Sequence, residues 1–600
     1  MIRLRHIFPS NNSRAEVDGD RAFFLRSQRG DMLSFYTTRQ TRYEGWFRFE
    51  NDGFIKLLER VEALGPNGPL KVAAITNLGH TVFWEYEDGS RLGWKQVPGE
   101  CGLSLTASTP LRLRIILDTR GMYRAPGLGR SYERVQPEND GLTLRYTDSE
   151  LGYPLFLHFS TPDAIQVRST WLECDYPRDE ARHSPPSRLY AYDLGEVTTA
   201  QICLGTGTTP EEAVSASAAA GKLRAQEPEV SINYTHDTLL NEVTAAKATV
   251  RQSLNWLQSD KGLWAGLPWF HQVWSRDELI AALGLAPEQQ LGIIQRYLTM
   301  VPLEGELPTY LGSGTTCADG IGWLCLLAHE HGLDHLPDEE RHGLVHLLQT
   351  ARDGLKQHRQ ANHGLVRSGH NATWMDTIGR EGYRLEIQCM YALLLEVLHD
   401  LTGEAEYDQE RLSFLGKIRH DFWGQSCLKD APDDTTIRPN IFLAYLLQPD
   451  LLAPLAWQGC FDKALSELGT DWGGLTSIAR SHPDFHPKTT GEDNQSYHNG
   501  DSWFFINNLA GIAMLRLNQH KFGKAIVGIL QSSTQEILWE NMIGQPGEIS
   551  SAAEMESYGC GIQAFSGGTY LAMLKEFEDY SAEHARDSIS FFWDSTAEVN

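Results

Sequence analysis

The chain is 600 residues long, more than one ordinary hydrophobic core organises, so two or more domains or one large closed repeat are expected. With 41% hydrophobic and 22% charged residues it is globular, which excludes a disordered or fibrous chain. The formal net charge of −26 would be repelled by phosphate backbones and anionic lipid, so neither nucleic acid nor a membrane surface is an expected partner.

The start, from Met1 to Pro9, carries no apolar core of a secretory signal. No run of about 18 apolar residues follows anywhere, so no transmembrane span is expected. The nine cysteines are odd in number and form no CxxC pair, which suits reduced thiols in a cytoplasmic protein.

Residues 1–230 are expected to form a β-rich N-terminal domain with its linker, of which about the first 205 read as strands and turns. Leu111–Thr119, Leu142–Asp148, Pro154–Thr161 and Ala164–Cys174 are rich in β-branched and aromatic residues, with turn residues at Asn139-Asp140-Gly141, Asp148-Ser149-Glu150 and Asp163. Short strands at this spacing predict an antiparallel sandwich. An alanine-rich segment from Pro210 to Ala225 follows, and Glu227–Asp237 reads as a linker.

The period then changes. Leu239, Leu240, Val243, Ala246, Val250, Leu254 and Leu257 recur at three and four, as a helix requires. Ile387, Met390, Tyr391, Leu394, Leu398 and Leu401 do the same, with Gly403 placed to stop the helix. Similar segments continue to about residue 577. Helices over residues 231–580, joined by loops dense in Gly, Trp, Asp, His and Asn, suit a toroid of helix pairs better than a small bundle. Residues 581–600 read as a polar tail with a late Phe591-Phe592-Trp593.

The phosphate-loop, nucleophile-elbow, dinucleotide and HExxH motifs are all missing. His329, His331 and His335 have helical spacing, but Gly332 beside them reads as a helix stop, and histidines suit that negative helix end. No metal and no cofactor is expected. What remains is a series of loops that set carboxylates beside tryptophan and arginine. Gly266–Glu278 holds Trp269, Phe270, Trp274, Arg276 and Asp277. Asn371–Asp376 holds Trp374 and Asp376, and Glu386 and Gln388 follow. Then come Arg438-Pro439-Asn440, the stretch Gly491–Trp503 with His498, and Glu548 followed by Gly559–Phe565 with Gln563. Flat aromatic faces stack on the C–H face of a pyranose, and carboxylates and amides pair with its hydroxyls. A carbohydrate is therefore the expected partner, and its neutrality is compatible with an acidic protein. Glycoside hydrolysis needs one protonated carboxyl and one carboxylate. Asp277, Asp319, Asp376, Glu386, Asp493, Asp501, Glu548, Glu554 and Glu556 all qualify by local setting.

In this order the loops resemble the amylo-alpha-1,6-glucosidase family, the glucosidase part of glycogen-debranching enzymes. Asp319 with Trp323 is similar to the family's acidic–aromatic pair on the loop between the first two motifs. The resemblance covers about residues 262–570 and implies an N-terminal β-rich domain followed by an (α/α)6 barrel. It implies an inverting hydrolase with Asp277 as general acid and Glu548 as general base, with Glu554 and Glu556 as the other candidates for the base. It implies that Trp374, Asp376, Glu386, Gln388 and His498 bind the glucosyl unit, with Trp269, Phe270, Trp274, Arg276, Asp319, Trp323, Trp503 and Gln563 also lining the substrate site. An acid must keep its proton near neutral pH, so Arg276 is predicted to face the sugar or another carboxylate rather than Asp277. Three positions depart from the family: Ser275 and Glu278 flank the Arg-Asp pair where Gly and Thr or Ser are usual, and Phe565 stands in place of Trp. The expected activity is release of glucose from an α-linked, above all α-1,6-linked, oligosaccharide or branched glucan stub. Competing readings are another (α/α)6 glycosidase (trehalase-, invertase- or GH63-like), a glycoside phosphorylase, and a non-catalytic sugar-binding protein.

Overall fold

The structure, a computed structural model, describes residues 4–7, 20–124, 129–135, 141–223, 239–361, 363–540 and 542–584. The linker at Glu227–Asp237 and the aromatic triplet of the C-terminal tail lie outside these residues. The chain divides into two compact units, Met1–Gln252 with Leu538–Gly544, and Ser253–Ile537 with Gln545–Asn600.

The first unit is built on one antiparallel network of 15 strands. Two 20-residue strands, Gly102–Gly121 and Arg188–Gly207, pair with each other and organise the rest. The first pairs with Arg91–Gln96 along its early half and with Gly53–Gly65 along its later half. The second passes from Gln166–Asp175 to Leu155–Ser160 in the same way. Their mutual register shifts between Thr106 and Leu111 and again between Ile115 and Ile116. Such bulges bend and twist a long strand, so that its two halves serve different parts of the sheet. Phe23, Phe35, Trp84 and Trp94 interlock in the core at centroid distances of 5.1–6.4 Å.

The second unit is helical. The helices Ser275–Ala282, Gly320–His331, Leu385–Thr402 and Asn440–Leu447 pack in sequence, each on the next, and Ala564–His584 packs back on Ser275–Ala282. All eight residues of Ser275–Ala282 are buried, as are most of those in Leu385–Thr402. A helix apolar or buried on all sides belongs in the centre of a fold. Between these come Pro287–Leu298, Asp338–Ala361, Ala405–Phe422 and Pro454–Leu468, packed outside them. The last inner position is the first part of Phe504–Trp539, which a break at Asn518 divides in two. The Asn518 side chain accepts a hydrogen bond from the Lys521 backbone N–H at 3.0 Å, as an N-cap does, and so starts the outer half. The first half docks on the final helix through Phe505–Phe565 and through Asn508, whose side chain donates to Ser566 and Thr569. The helix predicted over 387–401 is present, and Gly403 ends it in the left-handed conformation (φ 71°).

The inner helices begin at one end of the toroid and carry polar residues at their first turns: Asp277, Asp319, Glu386, Asn440 and, just before the last helix, Gln563. Closure depends on a close crossing at Gly568, where an added Cβ would lie 2.1 Å from the Ala281 carbonyl oxygen. Backbone cannot yield there, so Gly568→Val should destabilise the helical unit by at least the roughly 1–3 kcal/mol of ordinary overpacking. Calorimetry should show a lowered Tm, and an unchanged Tm would refute a tight crossing.

Candidate active site

Arg276 is the hub of the site. From the first turn of its helix its Nε donates to Asp319 Oδ2 at 2.7 Å, its Nη1 reaches Asp376 Oδ2 at 3.4 Å, and its Nη2 reaches the Ala372 carbonyl oxygen at 3.4 Å. The guanidinium thus faces carboxylates other than that of Asp277. Asp277 is buried and accepts a 2.9 Å hydrogen bond from Gln563 Nε2. Burial raises its pKa against the pull of Arg276, and the Glu548 and Asp376 carboxylates add to the rise, bringing it to about 7. Asp376 is also held above the usual carboxylate range, chiefly by burial, with Arg276 opposing. Its side chain nonetheless keeps 38% exposure, against none for that of Asp319.

Glu548 is held on both oxygens. Tyr497 Oη donates to Oε1 at 2.5 Å, and the Cys560 backbone N–H donates to Oε2 at 2.7 Å. Glu554 and Glu556, the other glutamates of this segment, are exposed. Asp493 is exposed and its carboxylate accepts from the Gln495 backbone. Asp501 is buried, which pushes its pKa to about 6 against the hydroxyls of Thr489 and Ser496 that bind it.

The aromatic residues fall into two groups. Trp269, Phe270 and Trp274 are half-buried, and Trp274 meets the exposed Tyr310 at 5.5 Å. Trp374 and Trp503 are buried, and they build a wall with His498 and Phe505. His498 stacks on Trp503 at 4.9 Å with planes 4° apart, and its Nδ1 lies 2.6 Å from Thr377 Oγ1. Burial, with Arg438, Arg380 and Arg276 around it, holds the His498 pKa well below its ordinary value, so the imidazole is neutral. Trp374 Nε1 donates to Asn440 Oδ1 at 2.8 Å, and Trp503 Nε1 to the Tyr497 carbonyl at 2.7 Å. Trp323 is 1% exposed, packed within its helix layer.

Two expected sugar ligands are committed elsewhere. Glu386 is fully buried and bound through both oxygens by Arg380, which also grips Asp430. Gln388 accepts from the Val366 N–H at 2.9 Å and donates to the Val366 and Arg384 carbonyls. A fully bonded amide and a carboxylate closed by a fork hold loops in place and leave little to offer a sugar. Glu278, one of the departures from the family pattern, is likewise internal, bound by Arg296, Tyr297 and the Leu263 N–H. Sequence reasoning did not assign roles to Arg380, Asp430 and Tyr497. Only Tyr497 had a signal, its place next to His498. Among the described residues no three His, Cys, Asp or Glu side chains are grouped to hold a metal ion. His331 and His335 instead bond locally, to Gln290 and to the His331 carbonyl.

A bacterial glucoamylase solved with acarbose shares this fold over 96% of both chains, with a TM-score of 0.59 at 11% identity. A GH63 mannosylglycerate hydrolase from Thermus thermophilus, solved with Tris, matches 55% of this chain and 99% of its own, at 11% identity and a TM-score of 0.43. No curated protein matches in sequence. The (α/α)6 toroid, together with a match to a glucosidase family model, identifies the chain as a glycoside hydrolase of the (α/α)6 class. The amylo-alpha-1,6-glucosidase family model matches residues 243–572, more than half of the chain, and the chain belongs to that family.

The Gln563 hydrogen bond favours the Asp277 anion. Gln563→Leu should therefore raise the pKa of Asp277 further. If Asp277 must be protonated for turnover, the alkaline limb of the pH profile of kcat/KM should move to higher pH. A limb that stays in place would detach Asp277 from that titration.

Proposed function

We propose that this protein is an inverting, exo-acting glucosidase that releases glucose from an α-linked, above all α-1,6-linked, oligosaccharide or branched glucan stub. Glu548 acts as general base, and Asp277 supplies the proton to the leaving oxygen. The observation that carries this reading is the unlike setting of two carboxyls: Asp277 is buried with Gln563 as its hydrogen-bond donor, and Glu548 is held on both oxygens by Tyr497 and Cys560. Burial, with the Glu548 carboxylate adding to it, raises the Asp277 pKa to about 7 against the pull of Arg276. One carboxyl keeps its proton near neutrality while its neighbour is positioned to take one from water, which is the division of labour hydrolysis needs. The half-buried Trp269, Phe270 and Trp274 offer faces for the sugar rings, and Arg276 holds the partly exposed Asp376 as a hydroxyl acceptor, with the buried Asp319 fixing the guanidinium from behind.

A second reading gives the proton donor's role to Asp376. It is favoured by exposure: the Asp376 side chain is 38% exposed, whereas Asp277 is buried. In an exo-acting pocket the glycosidic oxygen lies on the side of the mouth, so the more open acid is the better placed, and Asp277 would then bind hydroxyls of the terminal glucosyl unit.

The nine cysteines are all unpaired and buried, in keeping with a reducing, cytoplasmic setting. Among the described residues no helix is long and apolar enough to cross a membrane.

A substrate panel of isomaltose, panose, limit dextrin, trehalose, sucrose, kojibiose and glucosylglycerol should show glucose release, fastest from the α-1,6-linked compounds. Glu548→Gln and Asp277→Asn should each lower that rate by roughly 10²–10⁴-fold. Near-normal rates in either variant would remove that residue from the pair. An α-glucosyl fluoride needs no acid, so it should restore turnover to whichever of Asp277→Asn and Asp376→Asn lacks the proton donor.

A further inference from the structure

The first unit carries an aromatic face that the catalytic reading does not use. The strand Gln166–Asp175 lies along Arg188–Gly207 with Trp171 opposite Tyr192 and Glu173 opposite Tyr190. Residues alternate across a strand, so these four share one face, with the two rows about 7 Å apart along it. Trp171 is 41% exposed and Tyr190 57%. Tyr132 stacks on Tyr192 at 4.5 Å and lies 6.0 Å from Trp171, which braces the tryptophan from the side.

Arg130 fixes this group further. Its guanidinium lies 4.8 Å from the centre of the Trp171 ring. Its Nη2 donates to Asp118 at 2.8 Å, its Nη1 to the Tyr190 carbonyl at 2.9 Å, and its Nε to Tyr146 Oη at 3.3 Å. The Trp171 ring is therefore set in place before any ligand arrives, which lowers the entropic cost of binding.

We propose that this face is a second, non-catalytic binding surface for α-glucan chains. Exposed rings stack on pyranose C–H faces, and the exposed Glu173 beside Tyr190 accepts from hydroxyls. A neutral polymer is also the ligand least opposed by a net charge of −26. A second copy of the chain suits the face less well. Apart from Val167, the strand before Trp171 is polar, with Gln166, Arg168, Ser169 and Thr170 all exposed. A stable protein interface instead buries about 800 Å² per partner around an apolar centre. The register also shifts between Val167 and Thr170, with Ser169 at φ 53°, and a bulge of this kind disrupts pairing with another strand.

The choice of glucan rests on the proposed glucosidase function. The surface would let the enzyme stay on a branched polymer between cleavages. The test is affinity electrophoresis of the full chain through gels with and without glycogen, comparing the unmodified protein with Trp171→Ala/Tyr190→Ala. Glycogen should retard the unmodified protein, and the double variant should lose about tenfold or more in apparent affinity, as expected for truncated aromatic anchors. Its hydrolysis of a short isomalto-oligosaccharide should be unchanged. Tyr190→Ala alone, at a position more than half exposed, should lose part of the retardation without any fall in Tm. Equal retardation of all three proteins, or none for the unmodified one, overturns the proposal. So does a variant that changes only the sedimentation coefficient, because the face would then join copies of the chain. Glycogen retention without hydrolysis of any α-glucoside would leave the surface standing and count against the glucosidase reading alone.

Discussion

The end of the toroid where the inner helices begin depends on a constraint at Arg276: a buried guanidinium must be matched by carboxylates, and in the proposed reaction the carboxylates here also serve chemistry. Removing two unit charges from water costs several kcal/mol per ion unless partners lie close. Arg276 meets that demand through Asp319 and Asp376, which come from two other loops. Asp277 is adjacent in sequence but bonds to Gln563, just before the final helix, and burial keeps its proton affinity high against both Arg276 and that bond. One arginine thus ties three segments of the toroid together, while the buried Asp277 keeps a pKa raised to about 7.

A second cluster supports the first from behind. Arg380 binds Glu386 and Asp430 together, and Asn440 bridges Asp430 to the Trp374 indole. The position of Trp374 follows from this chain of bonds, and so does that of the loop leading to Asp376. Loss of Arg380 would leave two buried carboxylates without their partner, a change felt at the site through position rather than through contact with a sugar.

How much of this was legible in the sequence varies by residue. The helical period from Ile387 to Leu401, with Gly403 as its stop, was readable because a buried helix repeats its apolar positions. The orientation of Arg276 followed from requiring a protonated neighbour. Glu386 and Gln388 were misleading: their residue types suit sugar binding, but their partners, Arg380 and the backbone of Val366, are set by tertiary contacts that no local pattern encodes. The break at Asn518 is a cap among Arg516, Gln519, His520 and Lys521, between two apolar stretches whose helical period does not by itself mark it. The path of the 15-stranded sheet was hidden for the same reason, since pairing across two 20-residue strands joins segments far apart in sequence. Tryptophan was only half informative, because Trp374 and Trp503 are walls while Trp269 and Trp274 stay partly open.

If Glu548 acts as a base on water, two carboxyls work from opposite sides of the sugar with that water between them, and this fixes the stereochemistry of the product. Separations of about 6.5–9.5 Å leave room for the water, and about 5–5.5 Å do not. Proton NMR of the first glucose released from panose, whose leaving group is maltose, recorded before mutarotation, reads the outcome directly. β-Glucose is the expected first product. Initial release of α-glucose would mean retention, and would contradict Glu548 acting as a base on water.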